Sequence, residues 1–174
     1  MSIVTRRGDK GLTSLYPSGI VFKDDPRIDL IGTLDEVSSF LGAAASLMEK
    51  KAASGFIRKI QKDLFCVCAE AATPAALLGR LDKRVSRVHI ARLERMIERL
   101  ESGGCRPRSF VLPGGTLACG LLDLARSLAR RAERRAVTLL RRGKIKNRLV
   151  VVFLNRLSDL LYLLARSCHG KTQA

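Results

Sequence analysis

Two segments of this chain concentrate residue types that bind phosphate. The first covers residues 126–135, where arginines and one glutamate recur at helical spacing. The charged positions are Arg126, Arg130, Arg131, Glu133, Arg134 and Arg135. At about 100° per residue, the apolar positions from Leu121 to Leu139 form one stripe, and most of these charges fall outside it. The pattern predicts a helix with a core side and a guanidinium surface that attracts anions.

The second segment is the stretch 5–14 (TRRGDKGLTS), which combines glycines, cations and hydroxyl groups. The glycines would let backbone N–H groups approach a phosphate, the cations would neutralise it, and a hydroxyl would donate to it or reach a bound cation. The candidate side chains and glycines are Arg6, Gly8, Lys10, Gly11, Thr13 and Ser14. The P-loop pattern is absent. A phosphate cradle and a solvated terminus therefore both stay open.

Helices must position these segments, because Leu, Ala and Arg dominate the chain and aromatic residues make up only 5% of it. Residues 1–24 lack helical periodicity and are predicted as an ordered loop or a flexible arm. Helices are predicted over 25–48, 53–72, 83–100, 116–142 and 147–168. At 174 residues one domain is expected, an all-α five-helix up-and-down bundle over 25–174 preceded by the segment 1–24.

The last predicted helix is nearly apolar all round, and a polar seam crosses it. Spacings of four, three and four place its members on one face, and they are Asn155, Asp159, Tyr162 and Arg166. Such groups either satisfy one another inside a bundle or belong to a site.

The formal charge of +16 is uneven, since residues 126–148 hold ten Lys or Arg and one acidic residue. Nucleic acid, an acidic membrane surface and a polyphosphate ligand would all satisfy this charge. A nucleic-acid-binding helical protein is therefore one alternative. Few aromatic residues are available for base stacking, and no familiar nucleic-acid-binding motif is present, so nucleic acid is not the expected partner.

The five cysteines are an odd number without the paired spacing of a metal site, so free thiols in a reducing compartment are expected. Cys66 and Cys68 with His89 and His169 make only a weak metal candidate. The start of the chain has no signal-peptide apolar region, and no apolar run is long enough to span a membrane. We expect an unexported cytoplasmic protein.

Taken together, six collinear motifs resemble the PduO-type ATP:cob(I)alamin adenosyltransferases. They are 5–14 (TRRGDKGLTS), 23–27 (KDDPR), 32–36 (GTLDE) with 40–42 (FLG), 110–115 (FVLPGG), 125–135 and 153–159 (FLNRLSD). The resemblance extends over nearly the whole chain and is weakest over 50–108. It departs from the family at 16–19 (YPSG), where an aromatic residue and small residues are usual.

The resemblance implies a five-helix homotrimer with active sites between subunits. It also implies transfer of the 5′-deoxyadenosyl group of ATP to reduced cobalamin, with release of triphosphate. Mg²⁺ is expected on the ATP phosphates, with no side-chain ligand assigned. The ATP contacts implied by motif position are Thr5, Arg6, Arg7, Gly8, Thr13, Ser14, Lys23, Arg130, Arg131, Glu133, Arg134 and Asn155.

The resemblance further implies that Asp35 pairs with Arg126 across the subunit boundary and that Phe110 packs at the lower face of cobalamin. We assign Tyr162 to the cobalamin site as well, and we group Asp35, Phe110, Arg126 and Arg130 as catalytic. A cob(II)alamin reductase and an adenosylcobalamin-dependent enzyme are possible partners. The remaining alternative is a cobalamin chaperone that binds the cofactor without turnover.

Overall fold

The structure is a computed structural model that describes residues 4, 6, 8–48, 51–105 and 111–168, with only the backbone of residues 51 and 52. Within these residues the chain is mostly helical. Its α-helices are α1 Pro26–Ser46, α2 Lys51–Ala72, α3 Arg87–Ser102, α4 Leu117–Arg141 and α5 Leu149–Ser167. A short 3₁₀ helix covers Ala75–Arg80, and the strands β1 Leu12–Leu15 and β2 Gly19–Phe22 precede α1.

Local capping explains where the helices that carry the site begin and end. The Asp25 carboxylate accepts a hydrogen bond from the Arg27 backbone N–H at 2.8 Å, and Pro26 follows at the first helical position. The Thr116 hydroxyl accepts from the Cys119 N–H at 3.2 Å at the start of α4. Gly143, with φ of 66°, follows the end of α4. The predicted starts of α1 and α4 are confirmed.

The amino-terminal segment differs from the prediction, because part of it is a β-hairpin. Strands β1 and β2 pair antiparallel, with Leu12 opposite Phe22 and Leu15 opposite Gly19. The β-branched residues Thr13, Ile20 and Val21 favour the extended backbone, and the three residues between the strands are a hairpin length. The hairpin is fixed to the bundle where the Ser18 hydroxyl donates to the Ala72 carbonyl at 2.5 Å.

Helix α3 begins at Arg87 instead of near residue 83, and tertiary contacts explain the delay. The Val85 N–H donates to the buried Glu70 carboxylate at 2.5 Å, and the Val85 carbonyl accepts from the Asn147 side chain at 2.8 Å. Both backbone groups of Val85 are therefore used outside the helix. Ser86 then takes the cap position, with His89 completing a capping box.

Helix α4 lies at the centre of the bundle. It packs mainly against α1 and α5, while α2 packs on α1 and α3 packs on α5. The face of α4 toward the core is a stripe of fully buried alanines, whose small side chains let neighbouring helices approach closely: Ala125, Ala129, Ala132 and Ala136. This order places the charged side of α4 between α1 on one flank and α5 on the other.

Candidate active site

The arginines of α4 separate into two sets according to the helix that they face. Toward α1, Arg131 forms an ion pair with Glu36 at 2.5 Å, and Arg135 forms one with Asp29 at 2.6 Å. Away from α1, the side chains of Arg130 and Arg134 are exposed, and neither forms an ion pair within the described residues. Between residues 126 and 135, Arg130 and Arg134 are therefore the α4 cations without an ion pair in the described residues, and they remain available to an anionic ligand.

The polar seam of α5 faces this second set. The Asn155 side chain donates to the Glu133 carboxylate at 3.3 Å, which links two predicted nucleotide contacts. Arg156 donates to Asn155 at 3.0 Å and to Asp159 at 2.9 Å, and it also bonds Glu94 of α3 at 3.1 Å. The hydrogen bond that Arg156 donates to the Glu94 carboxylate raises the pKa of Arg156 further, so Arg156 stays charged. Polar side chains of α5 are thus hydrogen-bonded to α3 and α4, while Asp159 stays exposed to solvent.

A groove of about 650 Å³ opens between α3, α4 and α5 along this seam. Arg126, Arg130 and Tyr162 line it together with Arg156. Two guanidinium groups lie over the Tyr162 ring, with Arg126 at 6.0 Å and Arg166 at 5.6 Å from its centroid. The lining also contains the carboxylates Glu94, Glu98, Glu101 and Asp159, of which Glu94 and Asp159 are paired with Arg156. At its α4 side the groove combines an aromatic ring with the cations Arg126 and Arg130, which suits a ligand that has both a ring system and negative charge.

Asp123 is a buried carboxylate under this groove, and the sequence reasoning did not single it out. It accepts a hydrogen bond from the Gly114 N–H at 3.1 Å and one from the buried guanidinium of Arg166. Arg166 also donates to the Leu112 carbonyl at 3.1 Å. The signal in the sequence is an Asp on the buried side of α4, next to Leu122. The pair fixes residues 112–114 of the FVLPGG motif to α4 and α5.

Arg126 has an unused donor in this network. Its Nε is buried without a hydrogen bond within the described residues, and the nearer carboxylate oxygen of Asp123 is 3.7 Å away. Asp35, its predicted partner, is exposed on α1 and forms no ion pair within the part of the chain that the structure describes. A single chain therefore does not bring Asp35 and Arg126 together.

The amino-terminal segment brings some of its predicted residues together. A Cβ atom built on Gly8 would lie 3.0 Å from the Lys23 Nζ, so the ammonium group lies directly over this glycine. Thr13 and Ser14 are adjacent in β1 and therefore point to opposite faces of the hairpin. Arg6 is exposed, with a left-handed φ of 57°. Thr5, Arg7 and Phe110, which the sequence also assigned to the site, lie outside the described residues.

The two segments that the sequence predicts to bind phosphate are separate in the described part of the chain. No hydrogen bond or ion pair joins residues 8–23 to α4 across the described ranges. The described residues also contain no group of three or more His, Cys, Asp or Glu that could hold a metal ion. No helix in the ranges given above is long and apolar enough to cross a membrane.

Burial governs the cysteine thiols near the site. Burial first, and the neighbouring Cys119 second, raise the pKa of Cys168. The Thr116 hydroxyl contacts the Cys119 sulfur at 3.0 Å. All five cysteines are free. The Cys168 thiol is therefore a protonated packing group near neutral pH.

The fold and this set of residues define a helical protein of the corrinoid adenosyltransferase class. The sequence model described as Cobalamin adenosyltransferase matches residues 3–168, and the chain belongs to this family. The chain is 38% identical to "Corrinoid adenosyltransferase PduO" of Salmonella typhimurium over 167 residues, which cover 96% of this chain and 49% of that protein. The chain thus spans about half the length of this relative.

Shorter relatives match over most of their length. The corrinoid adenosyltransferase of Bacillus subtilis is 34% identical, with 99% of this chain and 89% of that protein covered. A solved structure of a variant PduO-type ATP:corrinoid adenosyltransferase from Lactobacillus reuteri, complexed with cobalamin and ATP, superposes with a TM-score of 0.86. It is 34% identical, and the superposition covers 97% of this chain and 94% of that chain.

Proposed function

We propose that this protein transfers the 5′-deoxyadenosyl group of ATP to cob(I)alamin and releases triphosphate. The observation that carries the proposal is the groove where the free cation Arg130 lies beside Tyr162 and Arg126, in a chain of the cobalamin adenosyltransferase family. A related solved structure holds both cobalamin and ATP. The groove offers an aromatic surface for a corrinoid and cations for a polyphosphate.

The chemistry explains why no side-chain nucleophile is needed. The electron pair of Co(I) forms the bond to the 5′ carbon of ATP, and the bond from that carbon to oxygen breaks. Triphosphate leaves with the electron pair of the broken bond, and cobalt becomes formally Co(III). The protein has to align the two substrates and stabilise the negative charge that grows on the leaving group.

Arg130 and Arg134 are the best placed residues for this stabilisation. Both are exposed without a carboxylate partner in the described residues, so binding triphosphate breaks no existing ion pair. Arg131 remains a predicted contact, but it would have to share or release Glu36. The Asn155 bond to Glu133 orients two further predicted nucleotide contacts.

Lys23 and Gly8 are proposed to hold the phosphates from the amino-terminal side. The close approach of the Lys23 ammonium to Gly8 supports this, because a cation and an accessible backbone meet at one point. Ser14 is exposed and Thr13 is half-buried, and they point to opposite faces of β1. Only one of these two hydroxyl groups can therefore point toward bound phosphates.

Phe110 and Tyr162 are proposed to contact the corrinoid. Support for Phe110 comes from the residues that follow it, since Asp123 and Arg166 fix residues 112–114 close to the groove. An aromatic side chain at the lower axial position of cobalt excludes water and offers no donor atom. Loss of the lower axial ligand of cobalt makes Co(II) easier to reduce. We propose that Phe110 takes the place of that ligand and so makes this reduction easier.

We place the complete site between subunits of a homotrimer. The separation of Asp35 from Arg126 supports this, because within the described residues the buried Nε of Arg126 makes no hydrogen bond, and the Asp123 carboxylate oxygen lies 3.7 Å from it. Exposed leucines at the start of α4 also fit a subunit boundary, with Leu117 70% and Leu124 51% exposed. The amino-terminal segment of one subunit would then complete the nucleotide site of the next.

Mg²⁺ would have to be held mainly by the phosphates, because the described residues offer no ligand cluster for it. No step of the proposed reaction is assigned to Mg²⁺. A cob(II)alamin reductase and an adenosylcobalamin-dependent acceptor remain predicted partners. The nucleic-acid alternative is not favoured, since Arg131 and Arg135 are paired to α1 and the basic segment 126–148 is not one free surface.

The test is anaerobic incubation with chemically reduced cob(I)alamin, ATP and Mg²⁺, followed by the corrinoid absorption spectrum. We expect ATP-dependent formation of adenosylcobalamin, abolished by Arg130→Ala and retained by Arg99→Ala, an exposed arginine of α3 without an ion pair in the described chain. Tight cobalamin binding without turnover would instead establish the chaperone alternative. An equal loss of adenosylcobalamin formation in Arg130→Ala and Arg99→Ala would contradict the role of Arg130.

A further inference from the structure

A second groove lies at the end of the bundle away from Arg126. It has a volume of about 610 Å³ and lies between the 3₁₀ helix, residues 81–86 and the start of α5. Its apolar lining consists of Leu78, Leu81, Val85 and Leu149. Its charged lining consists of two cations, Arg84 and Lys146, and two carboxylates, Asp82 and Glu70. The Glu70 carboxylate already accepts hydrogen bonds from the Val85 N–H and the Asn147 side chain. The groove is of the size that binds ligands or peptide side chains.

The two segments that border this groove carry a dense cluster of basic charge that the adenosyl-transfer site leaves unexplained. Residues 80–87 and 141–148 together contain nine Lys or Arg and one Asp. All nine cations are exposed, and none forms an ion pair within the residues that the structure describes. They are Arg80, Lys83, Arg84, Arg87, Arg141, Arg142, Lys144, Lys146 and Arg148.

The fold holds these segments in place. Ile145 is only 2% exposed, so the connection between α4 and α5 is anchored between its two lysines. The Asn147 side chain donates to the Val85 carbonyl at 2.8 Å and to the Glu70 carboxylate at 3.1 Å. These bonds join the two basic segments directly. The positive charge is therefore preorganised and needs little ordering when a partner binds.

The surface is distinct from the proposed nucleotide contacts. On α4, Arg141 follows Arg130 by eleven residues and Arg134 by seven, which corresponds to about 16 Å and about 10 Å along the helix axis. Neither bordering segment contains an aromatic residue on which a base could stack. An apolar floor would also contribute nothing to a sugar–phosphate backbone, whereas it would bury an aliphatic side chain.

We propose that this basic groove, bordered by 80–87 and 141–148, docks an acidic segment of a partner protein that carries an aliphatic anchor residue. Asp and Glu side chains of the segment pair with the surrounding cations, and its anchor lies against Leu81 and Leu149. Charge complementarity sets the orientation and speeds association, and burial of the anchor adds specificity over other polyanions. The proposal goes beyond adenosyl transfer and does not depend on it.

The test is fluorescence anisotropy of the full chain with a labelled glutamate-rich peptide that carries two central leucines. We expect binding that weakens about tenfold or more when both leucines are changed to serine, because each buried leucine contributes appreciably. The double variant Arg84→Glu with Lys146→Glu should weaken binding at least about tenfold. The matched control is Arg95→Glu with Arg99→Glu, which changes the same charge on the exposed side of α3.

Three results would overturn the proposal. The first is no binding of the leucine peptide by the unchanged protein. The second is an equal loss of affinity in the control variant, which would indicate a response to net charge alone. The third is equal or tighter binding of single-stranded DNA of matched charge, insensitive to Leu81→Ser, which would indicate a general polyanion surface. Adenosyl transfer by the Arg84 and Lys146 variant should be unchanged, and circular dichroism should confirm its helical content.

Discussion

The buried ion pair between Asp123 and Arg166 gives the sharpest prediction about stability. Both side chains are almost inaccessible, with 6% and 5% exposure, and each also bonds the backbone of residues 112–114. Asp123→Asn keeps the size of the side chain and an acceptor for the Gly114 N–H. It removes the charge and leaves the Arg166 guanidinium buried beside a neutral amide.

Breaking a buried pair by neutralising one partner costs about 3–5 kcal/mol. For a chain of this length each kcal/mol lowers Tm by about 2–4 °C, so Asp123→Asn should lower Tm by roughly 6–20 °C. The matched control is Asp159→Asn, because Asp159 also pairs with an arginine but its side chain is 49% exposed. That change should cost at most about 1 kcal/mol.

The assays are thermal unfolding for Tm and urea unfolding for the free energy, both followed by circular dichroism at a fixed protein concentration, since assembly would make stability depend on concentration. Adding Arg166→Met to Asp123→Asn removes the unpaired charge. The double variant should therefore lose less than the sum of the single losses, by about 1 kcal/mol or more. A loss for Asp123→Asn no larger than for Asp159→Asn, or strict additivity in the double variant, would refute this account of the pair.

Three further outcomes are expected. Arg126→Ala should impair cobalamin turnover, and exchanging the charges by Asp35→Arg with Arg126→Asp should restore part of it; no rescue in the corrinoid assay would argue against direct pairing. Phe110→Ala should slow adenosylation that starts from cob(II)alamin far more than it weakens ATP binding, and an equal effect on both, or no effect on either, would remove the role assigned to Phe110. Burial raises the pKa of Cys68 to about 12 from an ordinary 9.0, so the native state keeps a proton that the unfolded state loses, and stability should fall as pH rises above 9. Between pH 8 and 10 Cys68 should contribute a loss of about 1 kcal/mol, so the loss should be smaller by about that amount in Cys68→Ala. Burial also raises the pKa of Cys66 and Cys168, so part of the pH dependence should persist. The same pH dependence of the urea midpoint in Cys68→Ala and in the parent protein would contradict this prediction.

Much of the helical architecture follows from local signals in the sequence. Asp25 with Pro26, and Thr116 before an apolar-periodic run, each mark a helix start that the structure confirms. Capping and amphipathic spacing act within one or two turns, so they can be identified without knowing the fold. The family also follows from the sequence, because its motifs are short runs in a fixed order, and the match over residues 3–168 confirms that prediction.

The hairpin and the start of α3 were missed for different reasons. The strands β1 and β2 have only four residues each, too few for alternation to stand out beside the glycines and charges around them. The delayed start of α3 depends on Glu70 and Asn147, which lie far from Val85 in sequence. Contacts between distant residues give no local periodicity, so the sequence offered no sign of them.

The sequence by itself determined which helices form and which residue types are available for phosphate and corrinoid chemistry. The tertiary structure decided which of those side chains are free of an ion pair. Arg130 and Arg131 are neighbours of the same type, yet only Arg131 meets a carboxylate, from Glu36 at a separation of 95 residues. Asp123 and Arg166 likewise meet across 43 residues. The reason is physical: spacing along one helix sets the face on which a side chain lies, whereas the packing of other helices sets the partner that it meets there.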